Sequence, residues 1–300
     1  MSLDLSAWPT RVWSMRLSED SAFYQVIRYP AGEMQVRLRP EWRKQNPGAV
    51  QIVARQLKGD WVTELALLKS AVDSLGPSRV DLVIPYLPYA RADRRFVPGD
   101  CFGIQVLGSL LRSMRFDRVL TLDAHSSVAG EHVDNLCDVP ADHLIAMAVS
   151  RFASRCKENR ITAIFPDEGA AKRYRLPDIK SNIGGFEVLR AQCAKKRDVA
   201  TGRLLGFEVP EVSTTHAIII DDICDGGGTF LGIADRLPGH VLGLYVTHGI
   251  FSQGFGELKK RFEVVYTTDS FKDVSTLDAC VFDSVHATVS GRIEQDAKTR

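Results

Sequence analysis

Residues 216–231 read HAIIIDDICDGGGTFL, and this stretch decides the fold. Four apolar residues, Ala217 to Ile220, run straight into two acids, Asp221 and Asp222. A third acid, Asp225, precedes Gly226, Gly227 and Gly228, and Thr229 closes the run. An unbroken apolar run suits a strand buried on both faces of a parallel sheet. The acids predict a turn at its end, and the glycines a tight loop that opens a helix. Backbone N–H groups in such a loop can close around phosphate oxygens, and the helix dipole favours the negative charge. The carboxylates can accept hydrogen bonds from ribose hydroxyls. The combination suits the ribose and 5′-phosphate of a phosphorylated sugar. A glycine-rich turn alone would be an ordinary βα connection; paired acids at the strand end set this one apart.

Outward from this stretch, strand-like and helix-like patterns alternate. Strands are expected at 49–54, 80–85, 118–122, 161–165, 217–220, 240–247 and 264–267. Helical spacing covers 61–74, 102–114, 143–152 and 255–262, and a further helix begins at Phe230. This alternation predicts a parallel α/β sheet. It recurs on either side of Pro140, so two similar domains are expected, 1–140 and 141–300. In open α/β sheets ligands bind at the carboxyl ends of strands. Four expected strands end in ionisable or phosphate-friendly groups, and their shared placement says more than any one motif.

The bulk numbers set bounds. The chain has 300 residues, 45% hydrophobic and 25% charged, with a formal net charge of +1. That is the composition of a globular protein, and it lacks the broad basic footprint expected for nucleic acid. The six cysteines include no C-x-x-C pair, which argues against a zinc site or disulfide framework and for a reducing compartment. No signal-peptide pattern is visible at the N-terminus, and no apolar run approaches the ~18–20 residues of a membrane span. A cytoplasmic protein without membrane or nucleic-acid partners is expected.

Three further segments carry chemistry. Residues 84–100, IPYLPYARADRRFVPGD, crowd Arg91, Arg94 and Arg95 around Asp93 on a proline-rich loop. Guanidiniums are permanent, forked donors suited to a polyphosphate, although such runs also occur as solvated surface. Asp123-Ala124-His125 follows one strand, and Asp167 follows another. Magnesium bound to phosphates takes only one or two protein groups, which His125 and Asp167 could supply. Lys195, Lys196 and Arg197 lie before the phosphate strand, where they could form a cationic flap over a transferring phosphoryl group.

In order and content these segments resemble the ribose-phosphate pyrophosphokinases, from about Tyr29 to about Ser284. YPAGEMQVRL resembles that family's F-x-D-G-E segment, which implies Glu33 beside the nucleotide of a neighbouring subunit. IPYLPYARADRR is similar to its ATP-binding I-P-Y-x-x-Y-A-R-Q-D-R segment. LDAHS resembles its D-L-H-A element, implying magnesium at His125. FPDEGAAKR resembles S-P-D-x-G-x-x-x-R, implying Asp167 at the metal and pyrophosphate. AKKR resembles K-R-R, implying catalytic roles for Lys195 and Arg197 on a flexible loop. IIIDDICDGGGT resembles the ribose-phosphate loop D-D-x-x-D-[TS]-x-G-T. VTHGIFS also matches a family segment. The resemblance implies two type I phosphoribosyltransferase-like domains related by a pseudo-twofold, in homodimers or homohexamers. It further implies transfer of the β,γ-pyrophosphoryl group of MgATP to the anomeric hydroxyl of ribose 5-phosphate, with release of AMP.

The pattern departs from the family twice. Ala92 replaces a glutamine of the ATP loop, and Gly226 replaces the hydroxyl residue of the ribose-phosphate loop. One missing hydrogen bond costs about 1 kcal/mol, or up to ~3 kcal/mol to a charged group. The space at Gly226 raises a larger acceptor such as ADP-ribose, tied to NAD metabolism. Two other readings are a catalytically silent regulatory paralogue and a phosphoribosyltransferase. The first is at odds with His125, Asp167, Lys195 and Arg197, and the second leaves the Arg91–Arg95 loop unexplained.

Overall fold

A computed structural model of the chain describes residues 12–17, 21–44, 48–55, 57, 59–174, 186–197, 204–274, 277 and 279–289, with backbone alone at 12, 195–197, 204–205 and 207. The described residues form two compact units. One runs to Val139 and takes in the residues from Ser284 onward; the other is Pro140–Asp283.

The first unit contains β1 (Val12–Arg16), β2 (Tyr24–Arg28), β3 (Met34–Leu38), α1 (Pro40–Arg43), β4 (Ala49–Val53), α2 (Trp61–Asp73), β5 (Arg79–Val83), α3 (Gly103–Met114), β6 (Arg118–Leu122), α4 (Ala129–His132) and β7 (Leu136–Val139). Its sheet has the order β1-β4-β5-β6-β7, and every pairing is parallel. β4 is buried throughout and β5 almost so, which is why both read as largely apolar, with Gln51 and Asp81 as buried polar members. β2 and β3 form a separate antiparallel hairpin. Helix α2 sends Leu65, Leu68 and Val72 into the core, the spacing of one helical face. The sequence-based second domain ran to residue 300, whereas the helical residues 284–289 group with the first unit. Val285 packs there against Val53, Val83, Leu120 and Cys137.

The second unit contains α5 (Asp142–Cys156), β8 (Arg160–Phe165), α6 (Glu168–Arg173), β9 (Glu187–Gln192), β10 (Ala194–Arg197), β11 (Leu204–Glu208), β12 (His216–Cys224), α7 (Gly228–Ala234), β13 (Val241–Gly249), α8 (Gly256–Arg261), β14 (Val264–Thr268) and β15 (Cys280–Phe282). Its sheet, also fully parallel, has the order β15-β14-β13-β12-β8-β9. The chain winds from β8 out to β9, then returns past β8 to β12 and continues the other way. The carboxyl ends of β8 and β12 therefore flank a topological switch point, where open α/β sheets bind ligands.

The strand expected over 217–220 runs on to Cys224, so the two acids lie within it and not in a turn after it. The cause is β13, which is equally long and pairs Asp221 with Val246 and Ile223 with His248. The cationic segment expected as a flap is strand β10, paired antiparallel with β11, with a register shift between Lys196 and Arg197. Residues 198–203 and the side chains of Lys195 and Arg197 lie outside the described residues.

Candidate active site

In the first unit, the loops after β5 and β6 carry the predicted nucleotide residues, and their three arginines differ in state. Arg94 is committed to Asp93: Nε donates to Oδ1 at 2.8 Å and Nη2 to Oδ2 at 2.9 Å. Asp93 is 8% exposed. The Arg94 fork is the main cause holding its carboxyl below the usual range; burial opposes this, while a hydrogen bond from Ser126 and the His125 charge add to it. Asp93 thus ties the loop after β5 to the loop after β6. Arg95 braces its own loop, with Nε donating to the Asp100 carbonyl at 3.2 Å and its guanidinium 5.6 Å from the Phe102 ring centre. The Asp100 carboxylate also accepts from the N–H groups of Phe96 at 3.0 Å and Val97 at 3.1 Å. Arg91 is exposed and has no side-chain partner among the described residues. Of the three, its guanidinium is the one ready for a ligand.

His125 sits, half-buried, in the loop after β6. Asp123 before it takes a φ of 51°, and the Ala124 N–H donates to Asp138 Oδ1 at 3.0 Å, which fixes the turn. Glu33 is exposed at the tip of the β2–β3 hairpin, where its carbonyl accepts from the Tyr29 N–H at 2.8 Å.

In the second unit, the switch point collects the rest. Asp167, separated from β8 by Pro166, is the N-cap of α6, and its Oδ1 accepts from the Ala170 N–H at 3.0 Å. Across the crevice, Asp221 and Asp222 alternate along β12 and point to opposite faces. Asp222 is 3% exposed and paired with Arg173, Oδ2 to Nη1 at 2.7 Å. Asp221 keeps some open surface and accepts from the Asp222 N–H at 2.9 Å. Burial, and after it the charge of Asp222, push the Asp221 carboxyl well above the ordinary range; Asp167 acts in the same direction. The crevice thus concentrates negative charge that a cation or a set of hydroxyl donors would relieve.

Asp225 and Gly226 are exposed after β12, and Gly227 caps α7. Gly227 has a φ of 82°, and a Cβ there would lie 3.2 Å from the Leu258 side chain, so both backbone and space demand glycine. No side chain caps α7 at Gly227, and the first N–H groups of a helix, here at Gly228 and Thr229, have no partner within it. A Cβ at Gly228 would meet nothing within 4 Å, so the loop is open on that side. At Gly226 the space is not open: a Cβ there would lie 3.2 Å from Gln253 Cγ. The space expected beside the phosphate loop is thus bordered by the exposed Gln253 side chain.

Two partnerships escaped the sequence reading. Arg173 stands last in the FPDEGAAKR segment, and its pairing with Asp222 needed the fold to be seen. Ser126 follows His125 directly, but nothing in a lone serine marks it as a partner of Asp93.

Residues 14–114 match the family model described as the N-terminal domain of ribose phosphate pyrophosphokinase. A ribose-phosphate pyrophosphokinase of Maricaulis maris is 30% identical over 256 residues, covering 82% of this chain and 78% of the relative. One from Agrobacterium fabrum is 31% identical over 202 residues, covering 65% of this chain and 62% of the relative. The crystal structure of phosphoribosylpyrophosphate synthetase from Mycobacterium smegmatis superposes with a TM-score of 0.72 at 19% identity, covering 92% of this chain and 91% of that one. With two parallel sheets, an acidic switch-point crevice and relatives matched over most of its length, the chain belongs to the ribose-phosphate pyrophosphokinase family of transferases.

Proposed function

We propose that this chain transfers the β,γ-pyrophosphoryl group of ATP to the anomeric hydroxyl of ribose 5-phosphate. The anomeric oxygen attacks the β-phosphorus, the bond to the α-phosphate oxygen breaks, and AMP leaves. The observation that carries this reading is the switch-point crevice, where Asp221 and the glycine-opened start of α7 lie on one strand end and Asp167 on the next. Its acids suit ribose hydroxyls and its N–H groups a 5′-phosphate. Arg91 serves the ATP phosphates, with Asp93, Arg94 and Arg95 shaping its loop. Lys195 and Arg197 stabilise charge on the transferring group, and Glu33 contacts nucleotide across a subunit interface in a homodimer or homohexamer. Such a reaction depends on positioning and charge more than on covalent help from the protein.

His125 in the first unit and Asp167 in the second are each proposed magnesium ligands, and magnesium would neutralise charge on the phosphates. Among the described residues, no three His, Cys, Asp or Glu side chains converge as a metal cage. That fits an ion whose remaining ligands are phosphate oxygens and water. No described helix is long and apolar enough to cross a membrane.

The relatives are named for ribose phosphate, and Gln253 beside Gly226 narrows the space that favoured a longer acceptor; both support ribose 5-phosphate. Mass spectrometry of products from ATP, magnesium and a panel of phosphorylated riboses tests the reading. Ribose 5-phosphate should give AMP and pyrophosphorylated ribose in equal amounts. Better use of ADP-ribose would overturn the acceptor assignment, and AMP release from no acceptor would overturn the reaction.

A further inference from the structure

Gly226 poses a question that its backbone does not answer. Unlike Gly227, it does not have a positive φ, so no left-handed backbone demands glycine there. The neighbouring side chains bear on it instead. The nearest atoms to a Cβ there would be Gln253 Cγ at 3.2 Å and Ser252 Oγ at 3.9 Å. Both residues are exposed and therefore within reach of a ligand.

The turn that carries them is fastened to the phosphate loop through the backbone. After β13 the N–H groups of Ile250 and Phe251 both donate to the Cys224 carbonyl, at 2.9 and 3.1 Å, and the Ser252 N–H donates to the Asp225 carbonyl at 3.0 Å. Phe251 has a φ of 47°, costly for a bulky side chain, and its buried ring stacks edge-on to Phe255 at 5.3 Å. The turn is thus anchored at both ends, and Gln253 is carried over the exposed edge of Gly226.

We propose that Gln253 is a specificity-determining residue of the acceptor site, occupying the place of a side chain at 226 and donating its carboxamide N–H to the acceptor's phosphate. A carboxamide offers two donors without charge, and the neighbouring Ser252 hydroxyl can donate or accept. The pair replaces from across the loop the hydroxyl that the loop itself lacks. This inference rests on the proposed acceptor reading, since it assigns the phosphate to the loop that begins α7.

The test is a double-mutant cycle with Gly226→Thr and Gln253→Ala, read in the full-length enzyme as ribose 5-phosphate KM, ATP KM and kcat. Calorimetric binding of ribose 5-phosphate provides a readout independent of turnover. Each single variant should raise the ribose 5-phosphate KM about tenfold, which is ~1.4 kcal/mol, and leave the ATP KM unchanged. The double variant should return to within about threefold of the wild type, because the new threonine then has both space and a hydroxyl to offer. Gln253→Glu should be weaker still, since a carboxylate repels the phosphate. Additive losses of about a hundredfold in the double variant, or an unchanged KM in Gln253→Ala, would overturn the inference. If the wild type binds ribose 5-phosphate with the coupled pattern but releases no AMP, the proposed reaction fails and the inference stands. Normal AMP release with an uncoupled cycle gives the reverse.

Discussion

In the first unit the strands cross the sheet in chain order, while in the second the order reverses at β8. The reversal opens a crevice whose walls are strand ends, so Asp167 and Asp221 are held by the sheet itself. Among the described residues, the first unit's sheet shows no such reversal. Its candidate site is a long loop after β5, given shape by side chains: Arg94 on Asp93, Arg95 on Phe102, and Asp100 on two backbone N–H groups. One unit builds its site into the sheet, and the other assembles it in a loop from an ion pair, a cation–ring contact and hydrogen bonds. Substitutions should therefore couple function to stability in the second unit and separate them in the first.

Asp221→Asn should have the largest effect. Loss of a carboxylate that meets the reacting sugar should lower kcat/KM for ribose 5-phosphate about 10²–10³-fold, with the ATP KM unchanged. The same variant should gain stability at neutral pH. The folded carboxyl is raised above its unfolded value, so the unfolded chain releases the proton first and wild-type stability falls as pH rises above about 4. Melting temperatures at pH 4 and pH 7.5 should show a smaller fall in the variant; equal falls would contradict the burial of Asp221.

Arg173→Ala comes next. It strands the Asp222 carboxylate inside the second unit and should cost about 2–4 kcal/mol in urea denaturation, with Arg173→Lys recovering part. A cost near zero would mean that the pair does not hold the crevice. Arg91→Ala should spare stability and raise the ATP KM about tenfold, as expected for one charge-assisted contact of ~1.5 kcal/mol, while leaving the acceptor KM alone. Arg94→Ala should have the smallest effect at neutral pH, because the Arg94 side chain is 65% exposed. The Asp93 carboxyl is lowered by Arg94, so the pair stabilises above the ordinary carboxylate range and is lost as pH falls through the folded value. Wild type and variant should converge in melting temperature below that point, and a gap that persists in acid would deny the pairing.

The sheet cores were legible in the sequence because they are buried on both faces, and β4, β5, β6, β8 and the first half of β12 are mostly apolar runs, interrupted by single residues such as Gln51, Asp81 and Thr121. The edge strands β1, β7, β9 and β15 were not, since half-exposed edges carry no such run. The switch point was also illegible, because strand order is set by crossovers and not by local pattern. Loop motifs drew attention to Arg91, His125 and Asp167, which lie in loops after strands, and to Asp221, which lies inside β12 and not after it; their partners carried no such signal. Arg173 and Asp222 are far apart in sequence, and Gln253 reaches Gly226 only because β12 and β13 are neighbours. The vacancy inferred at Gly226 shows the limit of reading one position alone: an absent side chain leaves space only if nothing else fills it.

The central claim is that the chain joins a pyrophosphoryl group from ATP to the anomeric oxygen of a sugar held at the switch point. A ³¹P NMR time course with ATP, magnesium and ribose 5-phosphate tests it directly. The expected result is growth of AMP and of a sugar-linked pyrophosphate signal at equal rates, with both slowed at least about a hundredfold in Asp221→Asn. Formation of ADP and inorganic phosphate, or equal turnover in that variant, would contradict it.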